Sequence, residues 1–155
     1  MTNGSVEATD GICIICTDST KGTDSAPGVD QWRRVKTHIL IPQRRWMQKL
    51  GFLGAPMCVA NSDYLPIEYA LLMVRQIPTA KRKFPNIRDI FLIGHRCGYY
   101  TEVPPKSNFT IAEQQQDIIL GVGILEKHFG SKTLLGLKIS GFFAEEDNDG
   151  FRRIA

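Results

Sequence analysis

No stretch of this chain is apolar for long enough to cross a bilayer: Ile90 to Ile93 and Ile118 to Leu125 fall far short of the ~20 residues a spanning helix needs. The first ten residues, Met1 to Asp10, lack the positive and apolar regions of a secretory signal, so the expectation is a cytoplasmic protein. Cysteine is scarce: Cys13, Cys16, Cys58 and Cys97 are the four. In a reducing compartment such thiols bind metals or pack as small hydrophobes before they pair. Neither sign of charge dominates, since nineteen Lys and Arg against sixteen Asp and Glu leave a formal +3. That is too little to argue for nucleic acid, and neither nucleic acid nor membrane is an expected partner. There is no internal repeat and no Gly-x-x-x-x-Gly-Lys phosphate loop.

What is present is a chain of 155 residues with 43% hydrophobic and 23% charged content, which suits one globular core. Residues 1–10, polar and small, read as a flexible N-terminal tail, and 11–155 as a single domain. Ile12 to Cys16 is a continuous apolar run, the pattern of a strand covered on both faces. Thr37 to Ile41, stopped by Pro42, reads as a second strand, with Pro56 to Ala60 a weaker candidate. Pro66 opens a helix whose Ile67, Ala70, Leu71 and Val74 recur at helical spacing and which is expected to end before Pro78. Lys81 to Asn86 is a charged connector, and Ile90 to Ile93 a further apolar strand, closed by Gly94-His95-Arg96-Cys97-Gly98.

Thr110 stands three residues before Glu113, a capping box that opens a helix to about Phe129, with Gly130 as its cap. Leu134 to Phe143 alternates like a last strand with one wetter face, followed by an acidic turn, Glu145 to Gly150, and a short Phe151 to Ile154 tail. Strands separated by helices define an α/β domain with a mostly parallel β-sheet flanked by helices.

In such sheets ligands collect at the carboxyl ends of the strands, near the point where strand order reverses. Cys16 closes the first strand, with Asp18 and Ser19 just beyond, and His95 and Cys97 close the Ile90 strand. If these strands are neighbours, two thiolates and one imidazole converge, a set that holds catalytic zinc with one position open. Plainer roles stand beside this one. Cys13 and Cys58 read as buried hydrophobes, and Cys13 faces away from Cys16 because residues three apart on a strand point to opposite sides. Asp18 also suits a loop cap, Tyr99 and Tyr100 suit core packing, and His38 and His128 are ordinary surface or core histidines. A cysteine phosphatase would need an Arg where this chain has Gly22.

These residues resemble a known family, the β-class carbonic anhydrases. Cys16-Thr17-Asp18-Ser19 is similar to the family's Cys-x-Asp-Ser-Arg, and Gly94-His95-Arg96-Cys97-Gly98 to its Gly-His-x-x-Cys-Gly. Pro66-Ile67-Glu68-Tyr69-Ala70 resembles its Ser-Leu-Glu-Tyr-Ala helix, and Leu134 to Gly150 its last strand and turn. The resemblance implies a β-carbonic-anhydrase-like fold with Zn2+ on Cys16, His95 and Cys97. Asp18 becomes the acidic partner at the metal, and Ser19 and Gly98 lie against the pocket. A zinc-bound hydroxide then interconverts carbon dioxide and bicarbonate, or acts on a related C1 substrate such as carbonyl sulfide or carbon disulfide. A homodimer or higher even oligomer is implied as well.

The chain departs from the family in three places. One residue, Arg96, separates His95 from Cys97 where the family has two, and Thr20 stands where the family's Arg restrains the Asp. The family's Arg-Asn-Ala-Gly stretch is missing, with Pro42-Gln43-Arg44-Arg45 near its place. Residues i and i+2 of an extended segment point to one side, so the short spacing still allows a shared ligand. An Asp without its guanidinium can occupy the metal's open position, and Arg44, Arg45 and Arg96 are the candidate replacements. A catalytically silent relative, with the fold as a binding or assembly module and zinc structural or absent, is the alternative.

Overall fold

All six residues of Gly11–Cys16 are buried, and that places this strand, β1, inside a sheet covered on both faces. The computed structural model describes residues 9–16, 31–52, 54–60, 76–96, 110–145 and 150–155. After β1 come the helix α1 (Gln31–Val35), a π-helical turn (Lys36–Leu40), β2 (Met47–Phe52) and α2 (Ala55–Ala60). Helix α3 covers 76–83. Then follow β3 (Asp89–Gly94), α4 (Ile111–Phe129), β4 (Lys138–Ala144) and β5 (Phe151–Arg153). Among the described residues no helix is long and apolar enough to cross a membrane.

The strands form one sheet in the order β2-β1-β3-β4-β5, parallel except for β5, which runs antiparallel to β4. The expected α/β architecture is the observed one. From β1 the chain goes outward to β2 and returns across β1 to β3, so the strand order reverses between β1 and β3. Alternation along the strands divides the core in two. Ile12, Ile14, Ile90, Leu92 and Ile139 pack with Ala55, Val59, Ile77, Ile118 and Leu125 from α2, α3 and α4. Cys13, Ile15, Phe91 and Ile93 pack on the other face with Val35, Ile39 and Leu40.

Helix α4 begins as the sequence requires. The Thr110 hydroxyl accepts the Glu113 N–H at 3.2 Å, and the Glu113 carboxylate accepts the Thr110 N–H at 3.3 Å. Gly130 caps the other end, its N–H donating to the Glu126 carbonyl at 2.9 Å. Its φ of −78° is open to any residue, and glycine is needed there because a Cβ would collide with that carbonyl.

The sequence expectations fail in four places. Thr37 to Ile41 is not a strand but falls mostly in the π-helical turn, because Val35 and Ile39, four apart, bury one helical face while Ile41 stays 63% exposed. Pro56 to Ala60 belongs to α2, where Pro56 sits in the first turn and its missing N–H costs nothing. The real second strand, Met47–Phe52, carries Gln48, Lys49 and Gly51, weak strand formers that suit the edge it occupies. Residues 76–83 are helical through Pro78, before which helix is expected to end, and the Phe84 N–H donates to the Ala80 carbonyl at 2.8 Å. At the C-terminus, Phe151–Arg153 is the strand β5 rather than a tail, whereas β4 keeps one wetter face, with Lys138 exposed and Phe142 half-buried on either side of the buried Ser140.

The amino ends of the strands are held by the largely buried Arg45, with the exposed Arg88 adding longer ion pairs to Asp89 at 3.4 Å and Asp10 at 4.0 Å. Arg45 Nε lies 2.8 Å from Asp10 Oδ2 and Arg45 Nη2 lies 2.5 Å from Asp89 Oδ2, so a single guanidinium joins the entries of β1 and β3. Burial works against the charged form, but hydrogen bonds to both carboxylates outweigh it and hold the Arg45 pKa above its ordinary value. Replacing Arg45 with Ala leaves two largely buried carboxylates beside each other with only the exposed Arg88 within ion-pair distance among the described residues. It should lower the unfolding free energy by about 3 kcal/mol, read from urea midpoints at constant slope. Arg45→Lys should recover only part of this, because an ammonium lacks the two-pronged geometry. A loss in Arg45→Ala below about 1 kcal/mol, the size of an exposed pair, would contradict the role assigned to this clip.

Candidate metal centre at the strand ends

β1 and β3 pair in parallel with Ile15 opposite Ile93, so the register sets Cys16 alongside Gly94, and His95 comes next. Two of the predicted ligands therefore stand on adjacent strand ends at the reversal point. Asp18, Ser19, Cys97 and Gly98 lie outside the described residues, as do Thr20, the Pro66 helix segment through Val74, Tyr99 and Tyr100. Among the described residues no group of three His, Cys, Asp or Glu side chains is placed to hold a metal ion.

Cys16 is 2% exposed, and its Sγ accepts the backbone N–H of Gly54 at 3.2 Å. That donor comes from the turn between β2 and α2 and fixes the position of the sulfur. Gly54 holds this turn with φ of 65°, a left-handed conformation that glycine adopts freely. On α2, Cys58 is buried, and burial first, then the neighbouring Cys16, pushes its thiol up to about 12.

His95 is 3% exposed. Its Nδ1 lies 3.0 Å from the carbonyl oxygen of Arg96. A carbonyl only accepts, so Nδ1 is the donor of this contact, and in the neutral ring Nε2 then carries the lone pair. Nε2 is fully buried and finds no hydrogen-bond partner among the described residues. An imidazole tied to a backbone carbonyl through one nitrogen, with the other bare, is the arrangement of a metal-binding histidine. A thiol and an imidazole are the donors zinc prefers, so the residues described here fit that metal.

Of the candidate replacement cations, Arg45 is committed at the amino ends of the strands, some 20 Å away at ~3.3 Å per residue along the six residues of β1. Arg44 is exposed in the turn before β2, at that same end. Arg96 follows His95 at the carboxyl end. The segment that follows the second strand is Leu53 to Ala60, not Pro42 to Arg45, and it contains no Arg.

Sequence reasoning missed three neighbours of this region. Gly54 carried no signal, because its role depends on where β2 ends. Gln114 and Asp117 of α4 are 4% and 1% exposed, in the first two turns of a helix whose Ile118 packs on Gly94. A Cβ on Gly94 would lie 2.5 Å from Ile118 Cδ1, so the start of α4 is at the strand end that carries His95. Their spacing with Ile118, Gly121 and Leu125 is the helical stripe that could have revealed them.

No protein-family model matches the chain, and no curated protein does. Solved structures do. A carbonic anhydrase from Glaciozyma antarctica aligns over 100% of this chain and 89% of its own, with a TM-score of 0.52 and 15% identity. A carbonic anhydrase from Streptococcus mutans aligns over 97% of this chain and 84% of its own, with a TM-score of 0.53 and 13% identity. At such identities the likeness is one of fold: the chain has the carbonic anhydrase fold, as its motifs led one to expect.

The third described thiol, Cys13, lies on the opposite face, fully buried, with its Sγ 3.7 Å from Met47 Sδ. Burial pushes its pKa far above the ordinary thiol value. Below that value folded and unfolded chains are both protonated and nothing is lost. As pH rises past about 9 the unfolded thiol ionises and the folded one does not, so stability falls. Urea unfolding across that range should show a smaller decline in Cys13→Ala than in the parent chain, and identical slopes would contradict the assignment.

Proposed function

We propose that this protein is a zinc-dependent lyase interconverting carbon dioxide and bicarbonate, with Cys16, His95 and Cys97 holding the metal. The observation that carries the reading is the buried, bare Nε2 of His95 beside the Cys16 end of β1, in a carbonic anhydrase fold. When bound with one position open, zinc lowers the pKa of water from ~15.7 to about 7.

The chain's own residues do the rest. The Arg96 carbonyl holds the His95 tautomer, and the Gly54 N–H holds the Cys16 sulfur. Asp18 orients the attacking water and accepts its proton, with Ser19 and Gly98 lining the pocket. Arg96 takes the place of the family's arginine, since it alone of the three candidates lies at the carboxyl ends of the strands. The substrate is carbon dioxide or another small C1 molecule such as carbonyl sulfide or carbon disulfide, and the working unit is a homodimer or higher even oligomer in the cytoplasm.

One feature favours a second reading, a silent binding module with structural or absent zinc: Thr20 replaces the arginine that keeps the Asp off the metal. Zinc per chain and carbon dioxide hydration, measured on one purified sample, separate the two. The enzyme reading expects one zinc per chain and turnover that falls to the uncatalysed background in Cys16→Ser and His95→Ala, with zinc lost in both. Stoichiometric zinc without turnover selects the silent module. Anomalous scattering at the zinc edge that places no metal between residues 16, 95 and 97 would sink the metal site itself.

A further inference from the structure

β1 to β4 run parallel, so the segments that lead into β2, β3 and β4 all arrive at the amino ends of the sheet, opposite the candidate metal centre. Backbone hydrogen bonds cross this end. The Asp10 N–H donates to the Trp46 carbonyl at 2.8 Å, the Arg88 N–H to the Asp10 carbonyl at 2.9 Å, and the Lys138 N–H to the Arg88 carbonyl at 2.9 Å. Trp46, Asp10, Arg88 and Lys138 therefore stand in one row, about 4.8 Å from strand to strand. Every approach brings exposed cations: Arg44 before β2, Arg82, Lys83 and Arg88 before β3, and Lys132 and Lys138 at the entry of β4. Among the described residues the acids at this end are Asp10 and Asp89, bonded by Arg45, and the exposed Glu126. Glu113 and Glu145 lie at the other end, at the start of α4 and just past β4. The whole-chain balance of +3 conceals this separation of charge. Apolar side chains project from the same end. Leu134, in the turn between α4 and β4, is 107% exposed, Ile41 is 63% exposed and Trp46 42%. The Arg44 N–H donates to the Ile41 carbonyl at 3.0 Å, so a cation and an apolar tip share one tight turn.

We propose that this amino-end face binds the surface of an anionic lipid bilayer. Ile41, Trp46 and Leu134 enter the boundary between headgroups and acyl chains, and the cations around them meet lipid phosphates and carboxylates. The charge of the face is complementary to such a surface, and its apolar tips select lipid over the other polyanion that cations attract. A nucleic acid would satisfy the Arg and Lys side chains and stack a base on Trp46, but the aliphatic Ile41 and Leu134 would find no apolar partner there. A bilayer supplies one, and the indole of Trp46, apolar in its body with one polar N–H, suits the boundary. The contact is peripheral and needs no spanning helix. Lying about 20 Å away along the six residues of β1, the carboxyl ends of the strands stay open to the solution.

The test mixes the purified full chain with vesicles of phosphatidylcholine alone and of phosphatidylcholine with phosphatidylserine, and reads the bound fraction by sedimentation. Binding is expected only to the vesicles that contain phosphatidylserine, weakening as salt rises, with a blue shift of tryptophan emission that Trp46→Phe removes. One cation near an anionic surface is worth about fivefold in partitioning, so Lys83→Glu with Lys132→Glu should cost at least about 25-fold. Leu134→Ser should cost about tenfold, the transfer of one leucine side chain. All of these residues are exposed, so circular dichroism should stay native in each variant. Ile119→Ser, on the outer face of α4 away from this end, should bind as the parent chain does. Equal binding to both kinds of vesicle, or to neither, would overturn the proposal. So would unchanged binding in Leu134→Ser, which would leave charge alone at work. Binding of a single-stranded oligonucleotide by a chain that ignores the vesicles would hand the face to nucleic acid instead.

Discussion

The chemistry of this chain depends on β1 lying beside β3 in parallel. Antiparallel pairing would send the two strand ends to opposite edges of the sheet, and a slip of one residue would turn every side chain of β1 to the other layer. What resists the slip is the packing of the two strands into two filled layers. Ile12, Ile14, Ile90 and Leu92 belong to one layer, and Cys13, Ile15, Phe91 and Ile93 to the other. A strand buried on both faces cannot slip without forcing side chains of different volume into filled space, and closely packed cores resist that.

The two ends of the sheet divide the work between them. At the amino ends, Arg45 joins Asp10 and Asp89 and holds the strands in step, with Asp10 Oδ1 left buried and without a hydrogen-bond partner among the described residues. At the carboxyl ends no ion pair joins the described residues to one another, and the donors are each held from one side. Cys16 sulfur receives one N–H, and His95 is fixed through one nitrogen while the other is left bare in the interior. A buried polar atom without a partner costs about 1–3 kcal/mol, which a fold tolerates where a ligand removes the cost.

Legibility in the sequence followed the completeness of each local signal. β1 and β3 are uninterrupted apolar runs, and α4 has a capping box at one end and glycine at the other, so each could be read without knowing its neighbours. The π-helical turn could not, because Thr37-His38-Ile39-Leu40-Ile41 has the β-branched content of a strand while its burial follows Val35 and Ile39. β2 was hidden for the converse reason: an edge strand needs only one apolar face, and Gln48, Lys49 and Gly51 satisfy the edge at the expense of the pattern. Cys16 and His95 were legible as a pair because a strand-end rule operates on sequence position alone. The Gly54 donor and the Cys58 neighbour were not, since both depend on α2 folding back over β1.

That dependence bears on the departures from the carbonic anhydrase pattern. In the family motif the Asp and its arginine are separated by a single residue, so the restraint is local and survives small changes elsewhere. Here Thr20 removes it, and a restraint on Asp18 has to come from another element. Arg45 is excluded by its two carboxylates, and Arg44 by its place at the far end of the strands. Arg96 would supply it from the very turn that carries His95, so the position of the acid and the position of the imidazole would move together. A site built in this way gives up independence between its parts. Its geometry would stand or fall with the single turn after β3, and a substitution at Arg96 would act on Asp18 and His95 at once.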